Sequence, residues 1–281
     1  MNMGQITSGA IGSVKKDGNI VSTVTAWTLN PPTADSTSVA TSNSKGGVIS
    51  TTGAKDTSGS FTSKGLVPVA IPGEKLVFSG FCGPSSGNVN GTEEGVIYSV
   101  PVIISSILLN FDFSSAEALG WTYNFSGNGE LSETVGTQPD TTTPDIGTMQ
   151  GAEISVEGID ITSGSITISS AVSGGTATSN SKGWKIRWAG PLSGTAQLTC
   201  ILSSISEINM GIGNDVELSF SAGGHTLTFK WWKITGIGSI TVDNNSGEPQ
   251  AFTIDGVFNA HNGSSYGSIA VDETVLYPVN G

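Results

Sequence analysis

The heptad Ala40-Thr41-Ser42-Asn43-Ser44-Lys45-Gly46 occurs a second time, letter for letter, as Ala177-Thr178-Ser179-Asn180-Ser181-Lys182-Gly183. In a chain of 281 residues the two copies stand at matching points of two halves. Internal repetition constrains architecture before any local motif does, because a duplicated unit has to fold twice with one topology. Further matches follow in the same order. Asp56-Thr57-Ser58-Gly59-Ser60 faces Pro191-Leu192-Ser193-Gly194-Thr195, and each Ser-Gly is read as the apex of a tight turn. Pro72-Gly73-Glu74-Lys75 leads into Leu76-Val77-Phe78 as Gly213-Asn214-Asp215 leads into Val216-Glu217-Leu218. The long apolar runs Tyr98 to Asp112 and Phe229 to Asp243 both end in an aspartate, and Trp121 to Phe125 faces Ala251 to Ile254. Agreement in order predicts a duplicated domain: 1–131, a linker over 132–150 with Pro139 and Pro144, and 151–281.

The unit is expected to be all-β, a sandwich or barrel with at most a short flanking helix at Ser114 to Leu119. Val, Ile, Phe and Trp recur in short alternating bursts between Gly, Asn and Asp turns, which is the strand signature. Lys15-Lys16-Asp17-Gly18 predicts a hairpin turn, with Gly where positive φ is needed. Pro101 removes a ladder donor and predicts an edge or bulge. In Trp184-Lys185-Ile186-Arg187-Trp188 the apolar residues share one parity and the basic ones the other, as in a half-buried strand. Val96 to Phe113 is the most apolar run and is too polar for a spanning helix. Met1 to Gly12 lacks the charged and apolar regions of a secretory signal.

The chain carries 23 acidic and 11 basic residues, and Arg187 is its sole arginine. The acid excess is shared by both halves, which argues against a positively charged nucleic-acid groove. An acidic wall repels phosphate, so the same balance suits a conduit for a polyanion.

Catalytic chemistry finds little support. His225 and His261 have no Cys or His at metal-ligand spacing and read as turn residues. Glu93-Glu94 reads as a solvated loop pair, and Asp112 and Asp243 as matching strand-end carboxylates. No Gly-x-Ser-x-Gly elbow precedes a helix with His and Asp following in a usable arrangement, and no phosphate-binding Gly-rich loop with Lys occurs. Cys82 and Cys200 fall at unmatched positions and read as two reduced thiols. No catalytic residue, metal or cofactor is expected. Trp231-Trp232 places one indole on each face of a strand, so one fills the core and the other meets a second sheet or a subunit; Trp121 and Trp27 are candidates for the same role or for core packing.

Gly53 to Ser60 (Gly-x-x-Asp-x-Ser-Gly-Ser), Val102 to Asp112 (an apolar strand ending in Asp) and Gly120 to Gly129 (Gly-Trp-x-Tyr-x-Phe-x-Gly-Asn-Gly) together resemble the major tail tube proteins of long-tailed phages. The second half resembles them faintly: Gly190-Pro191-Leu192-Ser193-Gly194 lacks the Asp, and Asp255 to Asn259 replaces the Gly-Asn-Gly turn. The resemblance implies two tandem tail-tube-like β domains whose chains form trimeric, pseudo-hexameric rings. Stacked rings would make a hollow tube around a tape-measure protein and later DNA, capped by tail terminator and baseplate proteins. It implies assembly in the host cytoplasm, a place in the virion and no membrane. It also implies that the long loops Asn30 to Gly46 and Ala171 to Gly183 reach neighbouring units. Lys45 and Lys182 are then expected to make matching contacts with acidic residues of an adjacent domain or ring. The alternatives are another virion ring or decoration protein and a carbohydrate-binding tandem β module.

Overall fold

Asp17 and Gly18 both take positive φ, 49° and 84°, the combination a two-residue hairpin needs to match the twist of its strands. They join β1 (Gly12–Lys16) to β2 (Asn19–Val21). The computed structural model describes residues 12–21, 23–45, 47–83, 94–115, 117–137, 153–155, 160–201, 212–238, 251–258, 261–262, 265–266 and 268–277. The first half continues with β3 (Val24–Val39), β4 (Ile49–Lys64), β5 (Lys75–Cys82), β6 (Glu94–Asp112), β7 (Gly120–Gly127) and β8 (Ser132–Thr137). The second half holds β9 (Glu153–Ser155), β10 (Asp160–Ser170), β11 (Thr176–Ala177), β12 (Lys185–Ile186), β13 (Leu192–Ile201) and β14 (Asp215–Ala222). It ends with β15 (His225–Ile237), β16 (Ala251–Phe258), β17 (His261–Asn262), β18 (Ser265–Tyr266), β19 (Ile269–Val271) and β20 (Thr274–Tyr277). The fold is all-β. Among the described residues the only helical piece is one 3-10 turn, Ser42–Ser44. The helix expected from Ser114 is absent there, because Asp112 Oδ1 accepts from both the N–H (2.8 Å) and the Oγ (2.6 Å) of Ser114 and holds a turn instead.

Strand pairing is antiparallel throughout the main sheet, and its order recurs. In the first half it runs β1-β5-β6-β7-β4-β3, with β8 added to β6. In the second it runs β9-β14-β15-β16-β13-β10, with β19 added to β15. Taken in chain order, corresponding strands make corresponding pairs. The residues expected to open the linker, Ser132–Thr137, are strand β8; 138–150 lies outside the described residues.

Local details recur with the order. Gly73 (φ 90°) and Gly213 (φ 97°) turn the chain into β5 and β14. Gly73 N–H donates to Ile104 O (2.8 Å), and Ile104 N–H to Glu74 O (3.0 Å). Gly213 N–H donates to Ile234 O (2.8 Å), and Ile234 N–H to Asn214 O (3.0 Å). A β-bulge follows Ile104 in β6 and Ile234 in β15. Each bulged residue donates its hydroxyl across the sheet: Ser105 Oγ to Asn124 O (3.0 Å) and Thr235 Oγ1 to Asp255 O (3.2 Å). In β6 the extra residue moves the inward face from Val100, Val102 and Ile104 to Ile107, Leu109 and Phe111. Without it the period of two would turn one set to solvent.

Both Ser-Gly pairs lie inside strands, not at turn apices: Ser58-Gly59 in β4 and Ser193-Gly194 in β13. The glycine serves close approach. A Cβ on Gly59 would overlap the Thr28 carbonyl and the Phe125 ring, and one on Gly194 would crowd Thr167 O and Phe258. At Gly59 the bare backbone lets the Phe125 ring of the next strand lie across it, and at Gly194 it makes room for Phe258 of the next strand and the Trp232 ring beyond.

The core is one apolar cluster through both halves. Phe61 and Tyr123 stack at 4.4 Å, and Phe78 and Phe125 meet at 4.7 Å. Trp121 and Trp232 are 0 % and 1 % exposed. They are core residues, so Trp232 is the indole of the Trp231-Trp232 pair that fills the core, and Trp121 takes the core-packing alternative. They differ in one respect. Trp121 Nε1–H donates to Leu66 O at 2.8 Å, whereas Trp232 Nε1–H is buried without an acceptor. Substituting Trp121 by Phe should therefore cost about 1–2 kcal/mol more than the same change at Trp232, since only the first strands a buried carbonyl. Urea denaturation of the two variants checks this difference.

Candidate assembly interface

The two halves become one sixteen-stranded sheet through a single ladder between β10 and β6. It runs from Ser163 opposite Asp112 to Ser169 opposite Ser106. On β6, β5 pairs with Val96 to Ile103 and β10 with Ser106 to Asp112, end to end along one edge, while β7 takes the other. Ile166, Ile168, Ile107 and Leu109 are all fully buried at this joint. The Phe111 ring meets Phe220 edge-on at 5.3 Å, and so plugs the end of β6 into the aromatic run Phe220, Phe229, Trp232 and Phe258.

A polar clamp closes the joint on a second side. Arg187 is nine-tenths buried and fork-bonds Asp56 of β4, Nη1 to Oδ1 at 2.8 Å and Nη2 to Oδ2 at 2.5 Å. Nη1 also donates to Gly127 O at 2.6 Å, and the Arg187 N–H donates to Asn128 Oδ1 at 2.6 Å. Bidentate charge-assisted pairing of this kind is strong and geometrically specific. Burial raises the Asp56 pKa, but the Arg187 hydrogen bond and charge, the nearby Lys185 and the Thr57 N–H together outweigh it and hold the carboxyl below its ordinary value. Lys185 Nζ lies 3.6 Å from Asp56 and 3.7 Å from Asp35. Lys55 N–H donates to Gly183 O at 2.7 Å, and Lys55 Nζ sits 5.4 Å from the Trp184 ring centroid, within cation–π range. The face assignment expected for 184–188 is thereby reversed at its end: Arg187 is buried because Asp56 and Gly127 satisfy it, and Trp188 is half exposed.

The repeated heptads share one backbone feature among the described residues. Lys45 and Lys182 take left-handed φ of 46° and 49°. Their surroundings within the chain differ. Lys182 Nζ lies 3.6 Å from Glu130 of the first half, both well exposed, a pairing of little net energy. Among the described residues Lys45 meets no carboxylate. Trp231 belongs to β15 by its backbone, and its side chain lies outside the described residues. Trp27 is half-buried, its ring 6.0 Å from Phe78. Sequence reading passed over the Arg187–Asp56 pair. Its signal was a lone arginine inside an aromatic run, together with an Asp present in only one of the two Ser-Gly segments.

Other chemistry is sparse among the described residues. None of them form a group of three or more His, Cys, Asp or Glu able to hold a metal ion. His225, expected as a solvated turn residue, opens β15 with Nδ1 2.6 Å from Asp272 Oδ2, and both side chains are half exposed. His261 opens β17; Glu93 and Asp243 lie outside the described residues. Cys82 and Cys200 are not bridged to each other by a disulfide, and burial pushes the Cys200 thiol up to about 12. A cleft of about 590 Å³ at the meeting of the halves is walled by Pro68, Val69, Pro72, Leu192 and Tyr277. Lys16 and Glu74 also line it and neutralise each other at 2.7 Å.

Beyond Asn30 the β3–β4 hairpin leaves the core as an exposed two-stranded arm. Its tip carries Val39, Val48 and Ile49, each more than half exposed. The second half has only the short pair β11–β12 at the matching place. The chain matches no protein-family model, and no curated protein matches its sequence.

Proposed function

We propose that this chain is a structural protein of the phage tail-tube type. It is a tandem pair of β domains that self-assembles into pseudo-sixfold rings of three chains, stacked as a hollow tube for DNA. The observation that carries the reading is the recurrence of one strand-pairing order in both halves, with matching turns at Gly73 and Gly213 and matching bulges after Ile104 and Ile234. Two such units already joined edge to edge within one chain are what a ring of repeats would be built from. The tail-tube resemblance of the first half supplies the virion setting. The excess of 23 acidic over 11 basic residues suits a wall past which a polyanion slides. The exposed arm, a two-stranded ribbon with an apolar tip, suits contact with a stacked neighbour, since an isolated hairpin is marginal in water.

Negative-stain electron microscopy of the purified full chain tests this reading. Six-lobed discs or long hollow tubes are expected. A monodisperse monomer at all concentrations, especially one that binds glycans, would overturn it. In the genome, the gene is expected immediately ahead of one encoding a tape-measure protein.

A further inference from the structure

The joint between the halves displays, in its occupied state, a pair of edges that each half carries once more. Strand β10 corresponds in pairing order to β3, and β6 to β15. Aligning the bulges and the Gly59 and Gly194 contacts sets Thr28 opposite Ser60 as Thr167 is opposite Thr195, and Ile104 against Ile234. Leu29 is then the counterpart of Ile168, and Ile237 that of Ile107. Among the described residues, β3 pairs only with β4, and β15 from Gly236 onward pairs only with β16. Among the described residues both edges are open where β10 and β6 are closed on each other. Burial follows the same division. Ile166, Ile168 and Ile107 are sealed, whereas their counterparts Trp27, Leu29 and Ile237 are only partly buried.

The open edge of β3 is protected only at its start, by a bulge between Val24 and Ala26. Exposed edges are normally blunted by charge or proline. Val24-Thr25-Ala26-Trp27-Thr28-Leu29-Asn30 contains neither, and Pro31-Pro32 begin where this edge ends. From Ala26 to Asn30 the pairing with β4 is unbroken, so this uncharged, half-apolar edge is a template for another strand, and the molecule carries the complementary edge elsewhere on its own surface.

We infer that the β3 edge of one copy pairs antiparallel with the β15 edge of a second copy, in the register Asn30 opposite Gly236, Leu29 opposite Ile237 and Thr28 opposite Gly238. The inference rests on the tandem-repeat reading above and names the contact through which copies join. It reproduces between chains the ladder of Ser169 with Ser106 and Ile168 with Ile107. The contact is heterologous, head to tail, so it propagates until the rotation closes a ring. It differs from the joint within the chain in one way: the counterpart of Asp56 is Pro191, so no clamp equivalent to Arg187–Asp56 forms. The joint between copies relies on the ladder and on burial of Trp27, Leu29 and Ile237.

Disulfide trapping tests the register. Asn30 is exposed, and a Cβ on Gly236 meets nothing closer than 3.6 Å, so N30C/G236C is tolerated; opposed cross-strand positions lie within disulfide reach. The full chain is used in a Cys82→Ser background, Cys200 being fully buried. The control S106C/S169C crosslinks the same rung inside one chain. Under mild oxidation N30C/G236C is expected to give covalent multimers on a non-reducing gel, each single variant to stay monomeric, and the control to give an internal disulfide. Rings or tubes by microscopy without multimers, while the control closes, would overturn this edge pairing and leave self-assembly standing. Monomers by both measurements would overturn both.

Discussion

Replacing Arg187 with alanine is expected to destabilise the chain by about 3 kcal/mol, because removing one partner of a buried pair strands the other. Asp56 would keep a half-enclosed carboxylate with its fork partner gone, and the Gly127 carbonyl would lose its donor. Arg187→Lys should recover only part of the loss, since one ammonium cannot span both Asp56 oxygens and Gly127 O. The effect has a pH signature. The folded-state pKa of Asp56 is lowered. Its stabilisation is therefore complete above the unfolded carboxylate value of about 3.9 and is lost as pH falls through the folded value. Denaturation midpoints taken from pH 6 down to pH 2 should fall more steeply for the unaltered chain than for R187A. Parallel curves would show that the clamp contributes nothing.

The second large effect is expected at Gly59. Alanine there drives a Cβ into the Thr28 carbonyl on one side and the Phe125 ring on the other. Neither yields easily, since one is backbone in a ladder and the other is packed against Phe61 and Phe78. Overpacking of this kind costs about 3 kcal/mol. At Gly194 the same Cβ lies 3.0 Å from Phe258 Cβ and 3.1 Å from Thr167 O, a misfit of a few tenths of an ångström, and about 1 kcal/mol is expected there. Thermal unfolding of the two alanine variants compares them directly. Equal losses would mean that the aromatic lies differently over the two glycines.

These two glycines also show how far the sequence can be read. Their match between halves was visible, and so was an all-β chain; the meaning of Ser-Gly was not. Gly in a polar run carries the same local signal at a turn apex and under an aromatic ring, and only the neighbouring strand decides between them. The tryptophans pose the same problem. Alternation puts Trp231 and Trp232 on opposite faces but does not say which face is inside, and Trp232 and Trp121 are both interior. Strand β8 was hidden because its residues are mostly exposed and polar, so nothing in Ser132–Thr137 alternates. The clamp was hidden for a different reason. Arg187 and Asp56 are 131 positions apart in the chain, and parity alone assigned Arg187 to the wet face of a strand that is only two residues long.

Because β10 meets β6 inside one polypeptide, that contact forms at the high effective concentration of a tether, whereas joining separate chains forfeits roughly 4–15 kcal/mol of translational and rotational freedom. A closed ring of repeats built this way meets that entropic cost at alternate seams only. In such a ring the tether would also make the two kinds of seam distinguishable. An incoming chain that tried to displace β10 from β6 with its own β3 would bring no arginine for Asp56 and would leave that carboxylate uncompensated. Alternation of bolted and unbolted seams would therefore keep every subunit in phase, so that growth errors are rejected by a charge left unmatched and not by shape alone.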